Sequence, residues 1–143
     1  MNAFYNGNAT FFTSATGSIL YVAGPPITPP PPARHDTTTG LVCNPTTTQI
    51  GVGVTCTATV TDVIAGPSEP TGTVTFGYSG GGTLSPGTCN LVGDGNGSSS
   101  SCSTTFTPTG AVGNKTVNAF YNGTAAHRTS GSGSILIVAT APA

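Results

Sequence analysis

The sequence predicts an all-β fold, an antiparallel sandwich of two sheets, and three observations support this prediction. Thr, Ser, Gly and Pro dominate the 143 residues, and Val, Ile, Leu and aromatic residues recur among them at short spacing. Such a composition is typical of many short strands joined by turns. Residues 51–62 alternate Val, Cys and Ala with Thr, which is the period-two pattern of a half-buried strand. Patterns with the period of a helix are absent.

Seven strands can be placed along the second part of the chain. Glycine and Asn/Asp clusters separate them, and residues 93–97 predict a hairpin turn because these residue types tolerate a positive φ. Seven short antiparallel strands of this spacing favour two packed sheets. The predicted strands are residues 39–43, 51–62, 72–78, 88–92, 99–107, 115–121 and 133–139.

Charge is scarce in this chain. Only 5% of residues are charged, against roughly 25% in an average soluble protein, and the formal net charge is -1. The three basic residues Arg34, Lys115 and Arg128 cannot form the basic stripe that binds nucleic-acid phosphates or an anionic membrane surface. Because no apolar run reaches the ~20 residues of a membrane span, we expect no membrane insertion.

The four cysteines indicate an oxidising compartment. Their number is even, they lack C-x-x-C spacing, and no histidine lies near them in sequence, so disulfides explain them better than zinc. We therefore expect an extracellular or cell-surface location. Met1 is followed by Asn-Ala-Phe-Tyr rather than by a basic and then apolar leader, which favours the start of a fragment over a secretion signal.

An internal repeat divides the chain into parts. Residues 2–23 align without a gap on residues 118–139, and both copies contain NAFYNG and GSIL. A period of about 116 residues suits a string of domains rather than a solenoid. We expect residues 1–23 to be the last two strands of another copy, residues 24–36 to be a proline-rich linker, and residues 37–143 to be one sandwich domain.

The proline-rich linker predicts a stiff, extended spacer. Its sequence GPPITPPPPAR contains successive prolines, which remove backbone donors and hold φ near the polyproline value. An SH3-type ligand is the alternative interpretation of the same prolines. Without a known domain that binds these prolines, the spacer interpretation is favoured.

A resemblance to a known family covers residues 37–139. It is carried by the segments LVCNPTTTQIGVGVTCTATVTD, PTGTVTF, SCSTTFTPTGAVGNKTVNAFYNG and SILIVA, which together resemble a bacterial Ig-like repeat domain. The resemblance implies a seven-stranded immunoglobulin-like sandwich, an extracellular position and a passive spacing or assembly role, since members of the family share no catalytic residues. The chain differs from antibody-type domains, because it has no tryptophan and no cysteine in the strand that holds Phe120.

The cysteines fall into two pairs of equal spacing. Cys43 and Cys56 are thirteen residues apart, as are Cys89 and Cys102, and each pair lies on two consecutive predicted strands. We expect bridges Cys43–Cys56 and Cys89–Cys102 in preference to the other two connectivities. We also expect a role other than the bridge between sheets of antibody domains. Each bridge should stabilise the fold by about 2–4 kcal/mol.

A surface with so few charges needs another source of hydration, and attached sugars are one. Four Asn-x-Ser/Thr sequons occur, while Asn44 is excluded because Pro45 follows it. Threonines in the linker and at the start of the first strand are candidates for O-linked sugar, as in mucin-like stalks. Coincidence in a Ser/Thr-rich chain is the alternative explanation. The candidates are Asn8, Asn96, Asn114, Asn122, Thr28, Thr37, Thr38 and Thr39.

Apolar residues on outer strand faces suggest contacts with a neighbouring subunit. By analogy with the pattern of the family that the chain resembles, we expect Leu136 and Val138 in the last strand to face the core, which leaves Ile135 and Ile137 outside. The two strands within residues 2–23 cannot bury their own apolar face, because an isolated hairpin is marginal in water. We expect them to complete a sheet of an adjacent copy or to belong to a preceding domain. Their contact residues are Phe4, Tyr5, Phe11, Phe12, Ile19, Leu20, Tyr21 and Val22.

No catalytic site, metal site or cofactor is predicted. The tripeptide RHD at residues 34–36 follows the proline spacer, and the pair HR at residues 127–128 sits in a predicted loop. No nucleophile is tied to either by spacing, so we expect no enzyme activity. Asp94 is explained by its hairpin turn, since one carboxylate is far short of the ligands that calcium needs.

The function favoured by these features is a structural subunit of an extracellular, glycosylated filament or stalk. Copies of the chain would join end to end through residues 2–23, as a linear homopolymer or a tandem array. The alternative is a carbohydrate-binding adhesin or phage-surface module that uses its loops. Residues 80–86 and 124–132 form such loops, but only Tyr78 lies nearby as an aromatic residue, which argues against a platform for stacking sugars.

Overall fold

A computed structural model describes residues 24–26, 29–30 and 33–142 of the chain. Within that part all regular structure is β, and eleven strands form two packed sheets, so the predicted all-β sandwich is confirmed. The strands are β1 Thr37–Asn44, β2 Thr47–Gln49, β3 Val54–Asp62, β4 Thr73–Ser79, β5 Gly82–Ser85, β6 Thr88–Asn90, β7 Val92–Gly93, β8 Ser99–Pro108, β9 Gly113–Tyr121, β10 Ser130–Gly131 and β11 Ile135–Thr140.

Within the described residues, the first sheet has six strands and the second has five. The first sheet has the order β2-β11-β9-β4-β6, with β10 paired to the end of β9. The second has the order β1-β3-β8-β5, with β7 paired to β8. Every strand pair is antiparallel except β2 and β11, where Thr47 lies beside Val138 in a parallel ladder. This exception arises because the chain leaves the second sheet after β1 and joins the first sheet as β2.

β3 illustrates how the sequence builds the core. Val54, Cys56, Ala58 and Val60 are at most 1% exposed, while the threonines between them lie on the outer face. β3 pairs with β1 on one side and with β8 on the other, so it forms the centre of its sheet. The largest other side chains buried between the sheets are Val74, Phe106, Val117, Tyr121 and Ile137.

All seven predicted strands occur, with ends shifted by a few residues. The structure adds β2, β5, β7 and β10, of two to four residues each. β5 lies in a segment that was predicted to be a loop. Elements this short contain too few positions to show a period, so only their pairing with longer strands reveals them.

The predicted facing of the last strand is wrong. Ile137 is fully buried and Ile135 packs against the core, whereas Leu136 is 49% exposed. The register with β9 places Ile137 opposite Lys115, which is also buried. Because the sequence ILIVA is apolar at every position, it carries no alternation from which the facing could be derived. Ile137 is therefore a core residue rather than a subunit contact, and Ile135 is partly buried against the core.

Candidate functional site

Both predicted disulfides are present, and they have different roles. Cys43 and Cys56 face each other in the ladder between β1 and β3, so this bridge joins neighbouring strands of one sheet. Cys89 lies in β6 of the first sheet and Cys102 in β8 of the second, so the other bridge joins the two sheets. The expectation that neither pair spans the sandwich is wrong, because the chain changes sheet between β6 and β7.

The chain enters and leaves the sandwich at opposite ends. β1 begins at Thr37, which pairs with Asp62, the last residue of β3. β11 finishes at Thr140, whose carbonyl accepts the N–H of Ile50 at 2.9 Å, just before β3 begins. We call the side with Thr37 the amino end and the side with Thr140 the carboxyl end. The nine residues of β3 separate them by roughly 30 Å.

Three titratable side chains meet at the amino end. His35 lies two residues before β1, Asp62 is the last residue of β3, and His127 lies in the loop between β9 and β10. His35 Nδ1 lies 2.6 Å from Asp62 Oδ2, and His127 Nε2 lies 3.2 Å from the same oxygen. The side chain of Asp62 is fully buried, that of His127 is 3% exposed and that of His35 is 31% exposed. We call these three residues the His-Asp-His cluster.

Backbone hydrogen bonds bring the separate segments of the cluster together. The N–H of His35 donates to the carbonyl of Ala126, and the N–H of Arg128 donates to the carbonyl of His35, both at 2.8 Å. The hydroxyl of Thr124 accepts the N–H of His127 at 3.2 Å and shapes the loop. The last residues of the predicted linker, residues 33–36, therefore contact the domain. No spacing in the sequence links these segments, so the cluster was not predicted.

Hydrogen bonds hold Asp62 in its charged form. Its Oδ1 accepts the N–H of Ile64 and its Oδ2 accepts the N–H of Ser68, each at 2.9 Å, in addition to the two imidazole contacts. Burial alone would raise the pKa of this carboxyl. The hydrogen bonds from Ile64, His35, Ser68 and His127 outweigh burial and keep the pKa well below its usual range.

The cluster does not have the geometry of a Ser-His-Asp triad. The hydroxyl of Ser68 lies 3.2 Å from His127 Nε2, but the carboxylate of Asp62 faces the same nitrogen. A triad needs the carboxylate on Nδ1 and the hydroxyl on Nε2. Within the described residues, Nδ1 of His127 is buried and has no partner. This arrangement cannot activate Ser68 as a nucleophile.

The candidate asparagine acceptors for sugar differ in what their side chains already bind. Asn122 donates from Nδ2 to the hydroxyls of Thr73 and Thr75, both at 2.9 Å. Asn96 donates from Nδ2 to a serine hydroxyl at 2.7 Å. Asn114 is exposed on β9, and its side chain has no hydrogen bond within the described part of the chain. Because a sugar replaces one Nδ2 hydrogen, Asn114 is the acceptor that glycosylation would disturb least.

The threonine candidates divide in the same way. Thr37 and Thr39 point their hydroxyls at the hydroxyl of Ser130, at 2.8 and 2.7 Å. Thr38 is exposed, and its hydroxyl has no protein partner among the described residues. The predictions for Asn8, Thr28, Phe4, Tyr5, Phe11, Phe12, Ile19, Leu20, Tyr21 and Val22 lie outside the described residues.

One comparison with known proteins covers most of the sandwich. The sequence model of the family described as Bacterial Ig-like domain (group 3) matches residues 41–140, which run from β1 to the last residue of β11. Neither the curated proteins nor the solved structures gave a match. In the part of the chain that the structure describes, no helix is long and apolar enough to span a membrane.

Proposed function

The chain belongs to the bacterial Ig-like domain (group 3) family, and from this premise we propose that it is a structural subunit of an extracellular filament or stalk. The family is a non-catalytic one, and membership indicates a surface or extracellular module. The finer proposal is that copies join end to end and that attached sugars keep the fibre hydrated.

The opposite placement of the two chain ends carries this proposal. A module that begins at its amino end and finishes at its carboxyl end can be strung in line without the chain turning back. The internal repeat supports the same arrangement, because residue 23 corresponds to residue 139 and is followed by the proline-rich segment. A copy that continues in this way leaves its carboxyl end into another linker, which leads to the amino end of the next copy.

The length of the sandwich and the length of the linker together predict the axial repeat of such a fibre. The sandwich contributes roughly 30 Å along its strands. Residues 24–32 contribute up to roughly 30 Å if they are extended as the prolines predict. An axial repeat of roughly 60 Å is therefore expected. Two disulfides stabilise each module against forces that would pull its sheets apart or strip β1 from β3.

Negative-stain microscopy of the full chain tests the assembly. We expect fibres with the repeat given above, and single particles when residues 1–23 are deleted while the circular dichroism of the sandwich is retained. The deletion removes the segment proposed to complete a sheet of the adjacent copy. A full chain that stays monomeric with its sandwich folded would overturn the proposal. Particles that attach to glycans without forming fibres would favour a carbohydrate-binding module instead.

The intact mass of protein from its native source tests the sugars. We expect a mass above that of the polypeptide with two disulfides, with Asn114 occupied in preference to Asn122 and Thr38 in preference to Thr37 and Thr39. The reason is that only the first member of each set is exposed without a side-chain partner in the described structure. A mass equal to that of the bare oxidised polypeptide would rule out glycosylation.

A further inference from the structure

We propose that the His-Asp-His cluster is a binding site for a divalent metal ion of the Zn²⁺ class. The three side chains offer two imidazole nitrogens and one carboxylate oxygen, and the three donor atoms all lie within 4.8 Å of one another. The site would join three segments that are far apart in sequence: the end of the proline-rich linker, the end of β3 and the loop after β9.

The arrangement of the donor atoms fits a small tetrahedral ion. Ligands that surround Zn²⁺ at about 2.0–2.2 Å lie about 3.3–3.5 Å from one another. His35 Nδ1 and His127 Nε2 lie 2.6 and 3.2 Å from Asp62 Oδ2, so each of these two distances would lengthen by under about 1 Å if an ion took the place of the hydrogens. The imidazole rings of His35 and His127 are nearly perpendicular, at 84°, with their centroids 5.8 Å apart. They therefore approach the shared oxygen from different directions.

The electrostatics of the cluster favour a cation. The carboxylate of Asp62 is fully buried and charged, yet no lysine or arginine contacts it within the described residues. The ion pair between Arg128 and Asp36, at 3.2 Å, is largely exposed and does not include Asp62. Hydrogen bonds keep Asp62 charged in spite of its burial, and a metal ion between the imidazoles would add an opposite charge beside it.

His127 supports the same interpretation. Its ring is buried, its Nε2 faces Asp62 and Ser68, and its Nδ1 has no partner among the described residues. A metal bound at Nε2 would place the proton of the neutral imidazole on Nδ1, so that the lone pair of Nε2 lies beside Asp62 Oδ2.

The donor set selects the class of metal. Two imidazoles and one carboxylate suit Zn²⁺ and neighbouring first-row dications, whereas Ca²⁺ takes six to eight oxygen ligands. Three protein ligands leave a position for water. A cavity of about 310 Å³, lined by His35, Ser68 and three alanines, adjoins the cluster on the side of His35.

Zn²⁺ titration of the full chain, without a histidine tag, tests the site. By calorimetry near pH 7.5, we expect one Zn²⁺ per chain. His35→Ala should weaken the affinity at least about tenfold, a loss seen even when only a supporting residue of a metal site is removed. The backbone bonds of residue 35 do not need the imidazole, so the variant should fold. Arg34→Ala, its exposed neighbour, is the matched control and should bind as the wild type does.

Nitrogen NMR of the histidine rings tests the geometry without any variant. Zn²⁺ should shift Nδ1 of His35 and Nε2 of His127, the two nitrogens that face Asp62. Equal affinity in His35→Ala, no binding by the wild type, or shifts at the opposite ring nitrogens would each overturn the proposal. These results are independent of whether the chain forms fibres.

Discussion

The two ends of the sandwich each bury one charged side chain and stabilise it in opposite ways. At the amino end Asp62 is 4% exposed, and at the carboxyl end Lys115 is 3% exposed. The ammonium group of Lys115 donates to three backbone carbonyls, those of Gly80, Thr109 and Ala111. Asp62 instead accepts from two backbone N–H groups and faces two imidazoles.

The two ends differ in the chemistry of the groups that contact the buried charge. Backbone carbonyls do not change their protonation, and two of those around Lys115 lie within six residues of it. Imidazole is a group that can in general gain a proton or bind a metal, and the two imidazoles around Asp62 come from distant parts of the chain. The buried charge at the carboxyl end is therefore stabilised by backbone groups that do not titrate, whereas the buried charge at the amino end is stabilised in part by side chains of a type that can gain a proton or a metal.

The disulfides extend this comparison, and their removal is expected to have the largest effect on the free energy of unfolding. Replacing either pair by alanine should lower the free energy of unfolding by about 3 kcal/mol, measured by urea denaturation. Both bridges have a sequence separation of 13, so their effects on the unfolded chain are alike. Removal of Cys89–Cys102 should cost more, because only this bridge joins the sheets. Equal losses would show that the sheets hold together without it.

Removing the buried cation tests the carboxyl end. Lys115→Met should lower the free energy of unfolding by about 2 kcal/mol, since it leaves three carbonyls without their shared donor. Arg34→Met, at an exposed cation, is the control and should change it by less than about 0.5 kcal/mol. If Lys115→Met lowered the free energy of unfolding no more than the control does, the hydrogen bonds of the ammonium group would contribute nothing measurable to stability.

Acid should weaken the amino end selectively. The folded state holds the pKa of Asp62 below its unfolded value of about 3.9, so the stabilisation is complete above that value and is lost as the pH falls. Asp62 is the only buried one of the four carboxylates, so Asp62→Asn should flatten the fall in stability below about pH 5. Denaturation curves from pH 7 to 3 in a chelator measure this. Parallel curves for wild type and variant would contradict it.

The two asparagines beside β9 give the smallest expected effect. Asn122→Ala, just beyond β9 at the amino end, should cost about 1 kcal/mol because two threonine hydroxyls lose their donor. Asn114→Ala, near the start of β9 at the carboxyl end, should cost less than about 0.5 kcal/mol. Thermal unfolding of the unglycosylated chain compares them directly. A reversed order would show that the strand position of Asn114 matters more than the hydrogen bonds of Asn122.

The parts of the fold that were predicted correctly are those with local patterns. In β3 apolar residues alternate with threonine. This alternation predicts that the segment is a strand, where it begins and ends, and which side chains face the core, because successive side chains lie on opposite faces of the sheet. β11 has no such alternation, since an apolar residue at every position fits either facing, and the facing expected by analogy with the family was wrong. There the register with β9 decided that Ile137 faces inward.

The sequence by itself determined the all-β class and the central strands, because these depend on alternation and composition along the chain. Its motifs carried the resemblance to the family, and the spacing of its cysteines favoured the observed pairing. Only the tertiary structure decided that one disulfide joins the two sheets and that His35, Asp62 and His127 meet. Such contacts depend on which sheet each strand joins and where each loop ends. That choice is set by packing between segments distant in sequence, which no local pattern records.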